Sequence, residues 1–269
     1  MTRVAVFGAG GRMGREVCRA IASDPELELV AAVDPALAGI DLRQVTGVDG
    51  AGLQVASDVE ELQRSGAQVA VDFTVADAAA EHMRWCAGHG VHAVVGTTGI
   101  GEGELAQLKA LFESSAANCV IAANFAIGAV LMMRFAELAA PFMDGVEIIE
   151  LHHDGKLDAP SGTALSTADR VERARRAADG EGWPADKTAS TVVPGARGGE
   201  GPGGIRIHSV RLPGLVAHQE VLFGAVGQSL SIRHDAYDRA SFMPGVLLAV
   251  RTVADHRGLT VGLDSLLGI

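Results

Sequence analysis

The chain has 269 residues, 48% of them hydrophobic and only 4% aromatic, and a formal net charge of −11. That length and apolar content allow one large domain or two modest ones with a sizeable core. The negative charge repels a phosphate backbone and the few rings offer little to unstacked bases, which argues against a nucleic-acid partner. Three scattered cysteines, Cys18, Cys86 and Cys119, predict reduced core thiols in a cytoplasmic protein and no disulfide framework. The opening Met-Thr-Arg passes straight into an apolar run, leaving no room for a signal peptide. The most apolar stretch, from Ile121 to Met133, is too short to span a bilayer and is interrupted by Asn124, so no membrane partner is expected.

Val4 to Phe7 reads as a buried parallel strand that stops at glycine. Gly8, Ala9, Gly10, Gly11, Arg12, Met13 and Gly14 follow and lead into a helix reaching about Ala22. Strand, glycine turn and helix together predict the phosphate-binding start of a Rossmann unit. Glycine lets the backbone approach a pyrophosphate, and the helix N-terminus supplies N–H donors. Met13 stands where the third glycine of G-x-G-x-x-G belongs, so the pattern is read as Gly8-x-x-Gly11-x-x-Gly14. The next run, Leu27 to Val33, ends at Asp34, at the distance where an acidic residue binds the adenosine ribose hydroxyls. A simple strand-end cap is the other reading of Asp34.

The alternation continues with strands at Ala67–Phe73, Val91–Val95 and Cys119–Ala123, and helices at Ala76–Ala87 and Glu102–Ser115. It predicts a doubly wound parallel α/β sheet with its ligand at the carboxyl ends of the strands. Gly96, Thr97 and Thr98 follow one such end, and Ala122, Ala123, Asn124 and Phe125 another. His82, His89 and His92 lack metal-ligand spacing and read as surface or turn residues, and no metal site is expected.

After Phe125 the pattern changes. Ala129–Phe142 reads as a helix, and Val146–Leu151 as a strand delivering His152. Thr163–Ala178 reads as an amphipathic helix with Leu165, Ala168 and Val171 inward and Arg173, Arg175 and Arg176 toward water. The segment 183–204, rich in Gly and Pro, reads as a mobile loop and a candidate lid. Strands at Ile205–Arg211, Ala217–Phe223 and Gln228–Arg233 predict a second α+β domain with an open mixed sheet. A helix over Ser241–Val253 is expected to return to the first domain. The resulting division is 1–125 with 238–269 as the dinucleotide-binding domain, and 126–237 as the substrate-binding and oligomerisation domain.

The segment from Glu150 to Ala164, Glu-Leu-His-His-Asp-Gly-Lys-Leu-Asp-Ala-Pro-Ser-Gly-Thr-Ala, holds most of the chemistry. His152, His153 and Lys156 are proton-transfer types, and the Pro-Ser-Gly-Thr run reads as a helix start whose free amides suit an anion. A proton donor beside an anion grip suits a small carboxylated substrate. The residues alone do not rank His152 over His153. Glu-Leu-His-His, Lys156 and Asp-Ala-Pro-Ser-Gly-Thr-Ala resemble the signature of the dihydrodipicolinate reductase family. The resemblance extends to Gly-Arg-Met-Gly at 11–14, Val-Asp-Phe-Thr at 71–74, Gly-Thr-Thr-Gly at 96–99, His208 to Arg211 and Arg233 to Arg239.

The resemblance implies 4-hydroxy-tetrahydrodipicolinate reductase activity on a cyclic dicarboxylate imine in lysine biosynthesis, with NADH or NADPH as cofactor. It implies His152 as general acid/base, Lys156 as proton donor, and His153, Gly162 and Thr163 as substrate contacts. The Gly96–Thr98 and Ala122–Phe125 turns would contact the nicotinamide half of the cofactor, and the assembly would be a homotetramer built on sheet faces. One departure bears on the cofactor: Pro35 stands where several members carry an arginine suited to the 2′-phosphate of NADPH. NADH is therefore expected to serve at least as well, with Arg12 as a remaining phosphate partner. Two other readings are a Rossmann dehydrogenase on a sugar or semialdehyde, and a non-enzymatic NADH sensor.

Overall fold

The computed structural model describes residues 1–48 and 52–269. In chain order the elements are β1 (Thr2–Phe7), α1 (Arg12–Ala22), β2 (Leu27–Val33), α2 (Leu42–Thr46), α3 (Glu61–Arg64), β3 (Val69–Asp72), α4 (Ala76–His89), β4 (His92–Val95), α5 (Glu102–Glu113) and β5 (Cys119–Ile121). There follow α6 (Ile127–Ala139), β6 (Gly145–His152), α7 (Gly162–Asp179), β7 (Gly199–Glu200), β8 (Arg206–Arg211), β9 (Ala217–Ala225) and β10 (Gln228–Ala236). The chain then forms α8 (Met243–Thr252), β11 (Leu259–Val261) and α9 (Asp264–Leu267). Two compact units result: Met1–Phe125 with Phe242–Ile269, and Ala126–Ser241.

The first unit is a parallel six-stranded sheet in the order β11-β5-β4-β3-β1-β2. Its strands read as continuous apolar runs because both faces are covered, and Val4, Ala5, Val6, Val71, Val94 and Val120 are all fully buried. Strand order reverses between β1 and β3, which puts the switch point at the carboxyl end of β1. A lone parallel bridge between Val33 and Ala56 stands where a further strand outside β2 would lie. The expected returning helix is α8, which packs on α1. Beyond it β11 adds a sixth strand beside β5, an element that three residues after a glycine did not announce. Cys18, Cys86 and Cys119 are free and buried, as expected, and burial pushes the Cys18 and Cys86 thiols up to about 12.

The second unit is a five-stranded mixed sheet in the order β10-β9-β6-β8-β7. Ile148, Ile207, Val221 and Phe223 point from one face into a core shared with Ala136, Ala140, Ala164, Ala168 and Val171 of the flanking helical segments. The inward stripe of α7 therefore runs through Ala164, and Leu165 is 40% exposed, a shift of one residue from the expected register. Arg175 does not face water either: its guanidinium lies 5.3 Å from the Trp183 ring and bonds the Met143 carbonyl at 3.1 Å. The segment 183–204 is tied to the sheet. Arg197 reaches Glu147 at 2.5 Å and Asp186 at 3.2 Å, and Trp183 lies against Phe223. Charge pairing thus anchors a stretch that its composition alone marks as mobile.

Candidate active site

In the first unit the expected cofactor residues gather at the carboxyl ends of β1, β2, β4 and β5. Gly8 has φ of +66°, which glycine adopts without strain. A Cβ on Gly14 would lie 2.0 Å from the Gly8 carbonyl oxygen, so α1 can approach the loop only because this position is glycine. That is the close-packing role of a fingerprint's last glycine, and it supports the shifted spacing. No side chain caps α1, and the amides of Arg12 and Met13 in its first turn remain available to an anion. Arg12 itself is exposed, Gly11 is exposed, and Ala9 is buried.

The structure shows Asp34 as a cap and leaves its carboxylate beside the glycine loop. One carboxylate oxygen accepts the Gly10 amide at 3.0 Å, and the other caps the short turn Pro35–Leu37 through the Ala36 amide at 3.1 Å. Each oxygen keeps a lone pair for a ribose hydroxyl. A Cβ on Gly10 would meet Leu37 and Asp34, and one on Gly96 would fall 2.0 Å from the Phe73 ring, so added bulk at either turn would collide. The donors, the carboxylate and the glycine-lined turns fit a dinucleotide.

The other turns divide by exposure. Thr98 and Ala123 are exposed, whereas Ala122 and Phe125 are core residues. Thr97 is 6% exposed, and its hydroxyl turns inward to the Thr74 carbonyl at 3.2 Å. Thr97 can therefore meet a cofactor only through its backbone. Beneath it Asp72 binds the Thr74 amide at 2.7 Å and His82 Nδ1 at 2.6 Å. The His82 ring stacks on Phe7 with centroids 3.9 Å apart. His82 is thus a paired, half-buried histidine and not the surface residue its spacing suggested. Among the described residues no group of three His, Cys, Asp or Glu side chains is placed to hold a metal.

In the second unit β6 delivers His152 as its last residue, and α7 begins ten residues later at Gly162. Ser161 is the N-cap, its hydroxyl accepting the Ala164 amide at 3.2 Å, so the helix starts within the Pro-Ser-Gly-Thr run, at Gly162, one residue before the expected Thr163. Gly162 and Thr163 are its first two residues, at the end of the helix toward which its backbone N–H groups point. His152 Nδ1 lies 2.6 Å from Glu150, and Lys156 Nζ is chelated by Asp158 at 2.7 and 2.9 Å. The Lys156 amide bonds the His153 carbonyl at 3.1 Å, folding the loop back toward the strand end.

Electrostatics follow from the burial. Burial lowers the His152 imidazole below its ordinary value, with Lys156 and Arg211 adding to this and Glu150 opposing it. Burial would raise Glu150, but hydrogen bonds from Arg211, Ser209 and His152 outweigh it and hold the carboxyl low. The sequence pattern by itself assigns no role to Glu150, Asp158 or Arg211. The available signal was Glu-x-His on one strand, since alternate residues share a face.

Family models for dihydrodipicolinate reductase match both parts of the chain, the N-terminus model over residues 2–125 and the C-terminus model over residues 128–267. The chain belongs to the dihydrodipicolinate reductase family. It is therefore an NAD(P)H-dependent reductase with a Rossmann-type cofactor unit. The 4-hydroxy-tetrahydrodipicolinate reductase of Cutibacterium acnes is 48% identical over 270 residues, covering 100% of each chain. A dipicolinate-bound dihydrodipicolinate reductase from Paenisporosarcina sp. TG-14 is 41% identical, with a TM-score of 0.85 over 98% of this chain and 99% of that one. An amine dehydrogenase from Mycobacterium smegmatis, 18% identical, has a TM-score of 0.66 over 98% of this chain and 95% of its own, and shares the fold alone.

Proposed function

We propose that this chain carries out its family's reduction with His152 as general acid/base, Lys156 as proton donor and charge partner, and the 162–163 turn as carboxylate grip. The reaction is that of a 4-hydroxy-tetrahydrodipicolinate reductase, giving tetrahydrodipicolinate on the route to diaminopimelate and lysine. When bound, NADH or NADPH would supply the hydride. The protein must then hold the dicarboxylate and bring a proton to the ring carbon beside the one reduced.

The observation that carries this reading is the convergence at the end of β6. His152, paired to Glu150, and Lys156, paired to Asp158, share one short loop with the start of α7. With Nδ1 committed to Glu150, Nε2 is the nitrogen left for proton transfer. The Gly162 and Thr163 amides, at the positive end of an 18-residue helix, suit one substrate carboxylate. His153 is a second substrate contact. The planar diacid named with the Paenisporosarcina enzyme has the shape this grip requires.

In the first unit the proposed cofactor contacts are the 8–13 loop, Asp34, Gly96, Thr97 and Thr98, and Ala122 to Phe125, with Ala122 and Phe125 shaping the turn from the core. We assign NADH at least equal standing with NADPH. Pro35 carries no charge, and Asp34 would repel a 2′-phosphate. A homotetramer is supported by the outer face of the second sheet, where Ile149, Leu151, Val210 and Leu222 are half-buried and stand outside the core that the sheet shares with its helices. Among the described residues no helix is long and apolar enough to cross a membrane, and free buried thiols suit the cytoplasm.

The test follows reduced-nicotinamide absorbance with freshly generated substrate. Turnover with the cyclic dicarboxylate, and none with sugars or semialdehydes, is expected; the reverse pattern overturns the reading. A mass in solution equal to one chain would overturn the tetramer.

A further inference from the structure

Glu150 and Arg211 have no part in the mechanism as given, yet the groups it uses surround them. Glu150 is 0% exposed and precedes His152 by two residues on β6, so both side chains leave the strand on one face. Its Oε2 faces His152 Nδ1 at 2.6 Å, and its Oε1 accepts the amide of Ser161, the α7 cap, at 3.2 Å. Arg211 pairs with His152 in the parallel β6–β8 register, which aims its guanidinium along the strand at the same carboxylate. It grips both oxygens, at 2.9 and 2.8 Å. The same Nη2 donates to the Asp158 carbonyl at 2.7 Å, and the Asp158 carboxylate chelates Lys156.

We propose that Glu150 and Arg211 form a positioning pair which sets the acid/base histidine, the Lys156 loop and the carboxylate-gripping helix start from a single buried ion pair. The inference rests on the roles given to His152, Lys156 and the 162–163 turn.

Three physical points support it. A buried ion pair adds little stability over apolar residues of the same volume, so stability alone does not explain its place here. The Glu150 bond selects the His152 tautomer, keeping the proton on Nδ1 and directing Nε2 outward. The planar guanidinium fork fixes geometry in a way that an ammonium does not, and here a third bond extends the grip to the loop.

The test compares Glu150→Gln, Arg211→Lys and Arg211→Met with His152→Ala. Glu150→Gln keeps the shape and removes the charge; it is expected to lower kcat about 10-fold to 100-fold, part of what a positioned acid or base supplies. Arg211→Lys keeps the charge but loses the fork, and is expected to raise KM for the dicarboxylate severalfold while NADH affinity, read by fluorescence, stays unchanged. Proton NMR of the imidazole that His152→Ala removes gives a separate readout. Glu150→Gln should move its titration midpoint down and Arg211→Met should move it up, since the carboxylate favours the imidazolium and the guanidinium opposes it. A purely structural role would not produce opposite shifts. If both Glu150→Gln and Arg211→Lys keep kcat and KM within about twofold, or both midpoints stay in place, while His152→Ala is impaired, the positioning pair is refuted. Near-normal kcat in His152→Ala would instead refute the acid/base assignment beneath it.

Discussion

The two proposed sites, one in each unit, are built from different materials. The first uses backbone: glycine-lined turns, uncapped first-turn amides and strand ends, with Asp34 as its main charged side chain. The second uses ionised side chains grouped around a buried carboxylate. A backbone site should tolerate loss of side chains and fail when a methyl group is added. A charged site should tolerate small changes of volume and fail when a proton or charge is lost.

The largest effect expected from this contrast is catalytic. His152→Ala and Lys156→Ala should each lower kcat by about 10²-fold or more, the scale of general acid–base catalysis, with little change in NADH affinity. Steady-state kinetics checks this, and near-normal kcat in both breaks the assignment. In the first unit the damaging change is an addition. Gly14→Ala places a carbon against the Gly8 carbonyl and should raise the Kd for NADH at least about tenfold, with overpacking costing about 1–3 kcal/mol. Fluorescence titration and thermal unfolding measure the two consequences.

Smaller effects sharpen the contrast. Thr163→Val should raise KM for the dicarboxylate about fivefold, the equivalent of one hydrogen bond near 1 kcal/mol, and leave kcat almost unchanged. The ratio of kcat/KM for NADH to that for NADPH should be one or greater; a preference of about 100-fold for NADPH breaks the reading of Pro35.

Acid should separate the units. Carboxyls held below their ordinary values fall mainly in the second: Glu147, Glu150, Asp158, Asp186 and Asp235. Asp58 is the counterpart in the first among the described residues. A lowered carboxyl contributes stability that is full above its unfolded pKa, near 4, and lost as pH falls through the lower folded value. Between about pH 4 and pH 2 the Trp183 fluorescence of a Trp85→Phe variant should therefore change before the Trp85 fluorescence of a Trp183→Phe variant. Simultaneous loss would show that the units share one acid transition.

The same difference in materials decides what was legible in the sequence. Buried parallel strands and a glycine turn are local patterns, and each appears in a short window around Val4–Gly14 or Val91–Gly96. The shifted glycine spacing was readable for the same reason. β11 was not, because three residues carry no period. His152, Lys156 and the 162–163 turn were visible through a fifteen-residue signature. Glu150 lay inside that signature, but its partner Arg211 is 61 positions away and meets it only through strand register. His82 was misread because Asp72 and Phe7 belong to other elements. Contacts made across the fold left no local trace.

The polypeptide leaves the first unit at Phe125 and re-enters it at Phe242, and these points are neighbours: a Cβ on Gly245 would lie 2.1 Å from the Phe125 carbonyl oxygen. The second unit is thus an insert between two adjoining stitches. A short Gly-Ser bridge between them would close the nucleotide fold without a long span to cross, and the same junctions mark where an inserted module from another dehydrogenase could be grafted. The ribosome completes that fold late, because its last strand, β11, is translated only after the whole insert.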